Sequence, residues 1–103
     1  MNDRLLGMLG LAVRAGKVSF GVFSTLKALD EGRAMLVVAA SDIGQSNKRA
    51  IENKCSEYDV PLIFYSQKEQ LSRACGKKDM PVAGICDEGL SEAIVKIYGG
   101  AQK

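Results

Sequence analysis

Residues 34 to 40 read Ala-Met-Leu-Val-Val-Ala-Ala, an unbroken apolar run of seven. A strand with one wet face alternates apolar with polar residues, so a continuous run predicts a central strand covered on both faces. Such a strand needs a layer of other elements on each side, and the rest of the chain reads as helices that can provide them. Leu5, Leu6, Leu9, Ala12 and Val13 recur at helical spacing after a cap at Asn2 or Asp3, and Gly16 is a natural stop. A second helix opens at Gly21, turns Val22, Phe23, Leu26 and Leu29 inward, and closes at Gly32. A third runs from near Ser46 to Tyr58 with Ala50, Ile51, Cys55 and Tyr58 as its stripe. Ser66-Gln67-Lys68-Glu69 matches a capping box and begins a fourth, with Leu71 and Ala74 inward and an end at Gly76. Asp87 caps a fifth through Leu90, Ala93, Ile94 and Ile97, which stops at Gly99-Gly100 and leaves a short flexible tail.

The remaining apolar segments are short: Lys17 to Phe20, Leu62 to Tyr65 and Pro81 to Cys86. Each suits a strand, and Pro61 fits a strand start because it has no N–H to contribute. Alternating helices and strands predict a sheet sandwiched between helices, with parallel pairs joined by crossover helices. A chain of 103 residues suits one domain, residues 1 to 103, able to fold without disulfides or metals.

The residue inventory excludes much chemistry. There is no histidine, which removes the commonest general base and metal ligand along with the Ser-His and Cys-His dyads. The cysteines, Cys55, Cys75 and Cys86, form no C-x-x-C pair and sit among apolar neighbours, so they read as small buried hydrophobes. Reduced thiols point to the cytoplasm. The start lacks the basic and apolar regions of a signal peptide, and no apolar run is long enough for a membrane span. The carboxylate pairs Asp30-Glu31 and Asp87-Glu88 have no metal-ligand spacing and read as caps and solvated surface. The expectation is a protein that is not an enzyme and carries no cofactor and no metal.

Binding is the remaining option. The net charge is only +2, so the placement of the cations decides the partner. Lys77-Lys78 follows Gly76 in a loop, and Lys48-Arg49 opens the third helix, where the dipole favours acids. A bound phosphate would offset that cost. Gly21 permits close approach of another backbone. Phe20 and Phe23 flank it and Lys27 follows, a set able to stack on unpaired bases. The other reading of Phe23 is a core residue beside Leu26.

Taken in order, Ala15-Gly16-Lys17-Val18, Gly21, the stretch Lys27 to Asp42, the stretch Cys55 to Ile63, and Leu71 to Gly76 with Pro81-Val82 resemble the L7Ae/L30e family of ribosomal proteins. The likeness covers roughly residues 3 to 98 and is strongest to the small bacterial YlxQ-like branch. It implies an α/β fold, a three-layer α-β-α sandwich with a mixed sheet of about four strands. It also implies binding of structured, kink-turn-like RNA, gripped at Gly21 through Lys27, Asp42 through Lys48 and Gly76 through Pro81. The family's basic residue before the glycine is Phe20 here, and its Asn-Glu pair is replaced by Phe23-Ser24. Gly44 falls where many relatives carry an acid. A Phe-Ser pair cannot reproduce the acceptor pattern with which Asn-Glu reads base edges.

The RNA-binding candidates are therefore Lys17, Phe20, Gly21, Phe23, Ser24, Lys27, Lys48, Lys77 and Lys78. The expected partners are structured RNA, ribosomal RNA foremost, and ribosomal proteins, with no membrane; the chain itself is a monomer or weak dimer. The alternative is a protein-interaction module on the same scaffold, with exposed Phe20 and Phe23 as its surface and little RNA affinity.

Overall fold

The structure is a computed structural model that describes residues 3–101. In chain order it contains α1 (Arg4–Arg14), β1 (Val18–Phe20), α2 (Gly21–Asp30), β2 (Leu36–Ala39), α3 (Gln45–Tyr58), β3 (Leu62–Phe64), α4 (Lys68–Cys75), β4 (Val82–Ile85) and α5 (Glu88–Ala101). The apolar run becomes β2, and all of its residues are buried. Leu36 and Val38, with Ala40 just beyond, enter one core cluster, while Val37 and Ala39 enter a second on the opposite face. That is the two-residue alternation of a strand with no wet side.

The sheet order is β1-β4-β2-β3. β2 runs parallel to β3, with Val38 opposite Ile63, and antiparallel to β4, with Val38 opposite Ala83. β1 is antiparallel to β4, with Ser19 opposite Gly84. The outer strands, β1 and β3, have three residues each. Leu5 and Leu9 of α1, Leu71 and Cys75 of α4 and Ile94 of α5 cover one face. Ala28 and Leu29 of α2, with Ile51 and Cys55 of α3, cover the other. The result is the three-layer sandwich with a mixed sheet that the resemblance implies.

The strands are shorter than the apolar runs that mark them, but their flanks continue the hydrogen bonding. Met35 N–H donates to the Ile85 carbonyl at 2.7 Å, Ala40 N–H to Pro81 at 2.7 Å and Cys86 N–H to Lys17 at 2.8 Å. Asp3 caps α1, its Oδ1 accepting from Leu6 N–H at 3.0 Å; the alternative cap, Asn2, lies outside the described residues.

Several expectations are corrected. The start of α4 lies one residue later than the Ser66 capping box predicts. Gln67 is the N-cap, and the Gln70 side chain accepts from Gln67 N–H at 3.1 Å. Ser66 instead adopts a left-handed conformation at φ 64°, where the chain leaves β3. The glycines at 99 and 100 do not stop α5, which continues through them to Ala101. Glycine permits a helix end without forcing one, and Ile97 and Tyr98 just before it are held against the core. Ala74 is only half-buried; Ser72 and Cys75 are buried with Leu71.

In α2, Phe23 is outside the apolar stripe and 80% exposed. Thr25, Ala28 and Leu29 are the buried positions. Threonine fits there because its hydroxyl donates to the Ser19 carbonyl at 3.4 Å. Its methyl would lie 3.3 Å from a Cβ at position 84, so Gly84 on β4 allows α2 to approach the sheet. Asp30 is also more than solvated surface: it accepts from Lys54 Nζ at 2.6 Å and from Tyr58 Oη at 2.7 Å, joining α2 to α3. The Lys54 hydrogen bond, then that of Tyr58, holds its carboxyl below the ordinary value of 3.8.

Burial pushes the Cys55 and Cys75 thiols up to about 11, so both remain protonated and inert at neutral pH. Cys86 is half-buried, with its sulfur 3.6 Å from Ser19 Oγ, rather than a full core residue.

Leu36→Ala should lower unfolding free energy by about 3 kcal/mol, seen as a lower urea midpoint with unchanged slope. Asp30 has a lowered carboxyl pKa, so its stabilisation is present above pH 3.8 and fades as the pH falls through the folded value. Asp30→Asn should therefore give a shallower acid limb in urea midpoints measured across pH.

Candidate functional site

Strand directions decide which loops meet. β1, β2 and β3 end, and β4 begins, at the same edge of the sheet. Phe20-Gly21, the 41–44 loop, the 65–67 turn and the 76–81 loop therefore share one end. Hydrogen bonds between the loops fix this arrangement. Ser41 N–H donates to the Ser66 carbonyl at 2.8 Å. Lys68 N–H donates to Asp42 Oδ1 at 2.8 Å, so a residue 26 positions earlier in the chain caps α4. The Ser72 hydroxyl accepts from Met80 N–H at 2.8 Å and donates to the Met80 carbonyl at 3.2 Å, which ties the 77–80 loop to α4.

Four helices begin at this end, and they differ in charge. Carboxylates serve the starts of α1, through Asp3, and α4, through Asp42 and Glu69. Tyr65, at the end of β3, donates to Asp3 Oδ2 at 2.9 Å and so places the α1 start here as well. The other two, α2 and α3, have no side-chain cap and no acid in the first turn. Their N-caps are Phe20 and Gly44, neither of which has a side-chain acceptor. Among the described residues the first N–H groups of both helices thus have no intrahelical or capping partner, and the dipole adds partial positive charge there.

The sequence-predicted residues mostly gather at these two helix starts. Gly21 opens α2 at φ 88°, a conformation that disfavours a side chain, and apart from its chain neighbours and the backbone of its own helix no atom of the described residues lies within 4 Å of where a Cβ would stand. Phe23, Ser24 and Lys27 are exposed along one face of α2. Keeping a phenylalanine in water forgoes about 1.5–3 kcal/mol of burial. Phe20 is half-buried against the core, and Lys77 Nζ lies 4.4 Å from its ring centroid. Lys48, half-buried in α3, lies 5.4 Å from the Phe64 ring centroid. Lys77 and Lys78 are exposed and line a shallow concavity with Lys68 and Arg73, against Glu69 and Asp79. Asp79 is partly neutralised by Lys68 Nζ at 3.4 Å.

Lys17 is not brought to this group. It precedes β1 at the opposite end of the sheet, where its carbonyl accepts from Cys86 N–H. Two contributors escape sequence reasoning. Phe64, at the end of β3, reads as an ordinary strand aromatic until Lys48 is seen over it. The capping role of Asp42 rests on a contact between distant segments and leaves no local signal.

Among the described residues no group of three or more histidine, cysteine or acidic side chains is placed to hold a metal ion. No described helix is long and apolar enough to cross a membrane. Asp42→Ala should cost about 1 kcal/mol, the usual value of a lost helix cap. Amide hydrogen exchange should show the loss as faster exchange in the first turn of α4.

Comparison with known proteins agrees with this architecture. The sequence profile of the Ribosomal protein L7Ae/L30e/S12e/Gadd45 family matches residues 3–95. The RNA-binding protein YlxQ of Bacillus subtilis is 30% identical over 90 residues, 87% of this chain and 90% of that protein. The large ribosomal subunit protein eL30 of Sulfurisphaera tokodaii is 33% identical over 92 residues, 87% of each. A solved structure of a Bacillus halodurans protein of unknown function superposes with a TM-score of 0.91 at 32% identity, covering 95% of this chain and 99% of that one. With a family match across nearly its whole length and the corresponding mixed sheet and helix layers, the chain belongs to the L7Ae/L30e/S12e/Gadd45 ribosomal protein family.

Proposed function

We propose that this chain is a non-catalytic RNA-binding protein of the cytoplasm, associated with ribosomes, that grips structured, kink-turn-like RNA at the end of the sheet where α2 and α3 begin. The observation that carries this is the pairing of two uncapped, acid-free helix starts with Lys48 and the Lys77-Lys78 loop at one edge, while Lys27 extends the exposed face of α2 into its last turn. Orphan N–H groups and lysines together suit phosphate oxygens. The relatives named as RNA-binding and ribosomal proteins support the same partner.

Each residue has a distinct part. Lys27, Lys77 and Lys78 neutralise phosphates from exposed positions. Lys48, seated over Phe64, offers a cation fixed in place. Gly21 leaves room for the RNA backbone beside the α2 start. Phe23 supplies an apolar ring face, and Ser24 a single hydroxyl.

A protein-interaction surface built from both phenylalanines is less favoured. Such a surface needs two exposed, adjacent rings without basic surroundings, whereas Phe20 is half-buried beneath Lys77 and Lys27 follows Phe23 on its own face.

Lys27→Ala combined with Lys77→Ala should weaken binding of ribosomal RNA fragments and reduce the slope of log affinity against log salt by about two. Lys17→Ala, at the far end, should leave that slope unchanged. An unaltered slope in the double variant, measured by filter binding, would sink this site. Ribosome association is checked by cosedimentation with ribosomal subunits on a sucrose gradient, which should be lost in the double variant.

A further inference from the structure

Among the described residues Phe23 is the most exposed of the large hydrophobic side chains. It is 80% exposed and packs against neither core cluster. The other aromatic at the α2 start differs from it: the Phe20 ring has Lys77 above it, whereas among the described residues no cation is stacked on Phe23. Two residues before Phe23 lies Gly21, with open space where a side chain would project. One turn after it, on the same exposed face, lies Lys27, about 6 Å further along the helix axis. The residues from 20 to 27 contain no carboxylate and no amide side chain.

A ligand matching this strip has a planar π-face and a negative group a short distance away, and it makes no demand for edge recognition. A base inside a stem does not qualify. Both of its faces are covered by stacked neighbours, and it presents only edges, which are read by donors and acceptors in its plane. Phe23 has neither, and Ser24 has one hydroxyl. An unpaired nucleotide qualifies, with its base free to stack and its phosphate within reach of the lysine.

We infer that Phe23 stacks on an unpaired nucleobase while Lys27 holds a neighbouring phosphate, so that this chain selects structured RNA by a bulged or looped nucleotide rather than by the edges of paired bases. The inference rests on the RNA-binding role proposed above and specifies what that face recognises.

The test uses the full chain and three labelled hairpins read by fluorescence anisotropy. The first carries a short bulge followed by sheared G·A pairs, the second lacks the bulge, and the third keeps the bulge but has Watson–Crick pairs in place of G·A. Deleting the bulge should weaken binding about tenfold or more, the usual effect of losing one base–aromatic stack. Replacing the G·A pairs should change it less than about threefold, within the effect of a minor contact. Phe23→Ala should erase the preference for the bulged hairpins. Because the chain has no tryptophan, Phe23→Trp creates a single indole at this position, excitable at wavelengths where the three tyrosines do not absorb. Its emission should be quenched by the bulged hairpins more than by the unbulged one. Phe23 is exposed, so neither variant removes a core contact.

If wild type follows the G·A pairs and ignores the bulge, or if Phe23→Ala keeps full preference, the stacking inference is overturned while the RNA-binding role stands. If no hairpin binds even at low salt, the wider role fails and this inference fails with it.

Discussion

Burial of β2 on both faces is the constraint on which the rest of the molecule depends. Leu36 and Val38 need apolar cover on one side, Val37 and Ala39 on the other. No single helix layer can satisfy both, so α1, α4 and α5 pack on one face and α2 and α3 on the other. The backbone of β2 must also be satisfied on each side, by β3 in parallel and β4 in antiparallel pairing. Once β2 has that position, the helix that follows β1 and the loops that follow β2 and β3 are delivered to one end.

At that end the two layers differ in how their helix starts are capped. On the α1 and α4 side, Asp3 and Asp42 occupy the N–H groups of the helix starts. On the α2 and α3 side those groups have no side-chain acceptor, and lysines lie close by. The molecule has a net charge of only +2, yet this distribution gives one half of one end a local preference for anions. Placement outweighs total charge here.

Much of this architecture was legible in the residues. The apolar run 34–40 marked the central strand, Gly16, Gly32 and Gly76 marked turns with positive φ, and Asp87 marked the cap of α5. Misreadings came where tertiary contacts override local pattern. Phe23 matches an apolar stripe by type, but a stripe centred on Thr25, Ala28 and Leu29 turns it outward. Thr25 has no core signature of its own, because its burial depends on a carbonyl of β1 and a glycine of β4. Local pattern puts the capping box one residue early because Ser66 is the more usual cap, yet the turn out of β3 takes Ser66 into a left-handed conformation. For the site, sequence pointed to most of the lysines now found at one end. It could not separate Lys17, since only the strand directions reveal that this residue lies at the other end of the sheet.

The sheet's outer strands have a further consequence. β1 and β3 are three residues long, about 10 Å of open edge apiece. Another chain adding a strand there would gain only a few backbone hydrogen bonds, too few to hold it. Short edges thus guard a small protein against edge-to-edge strand pairing. Association is left to the helix-lined surfaces, where side chains rather than backbone set the choice of partner.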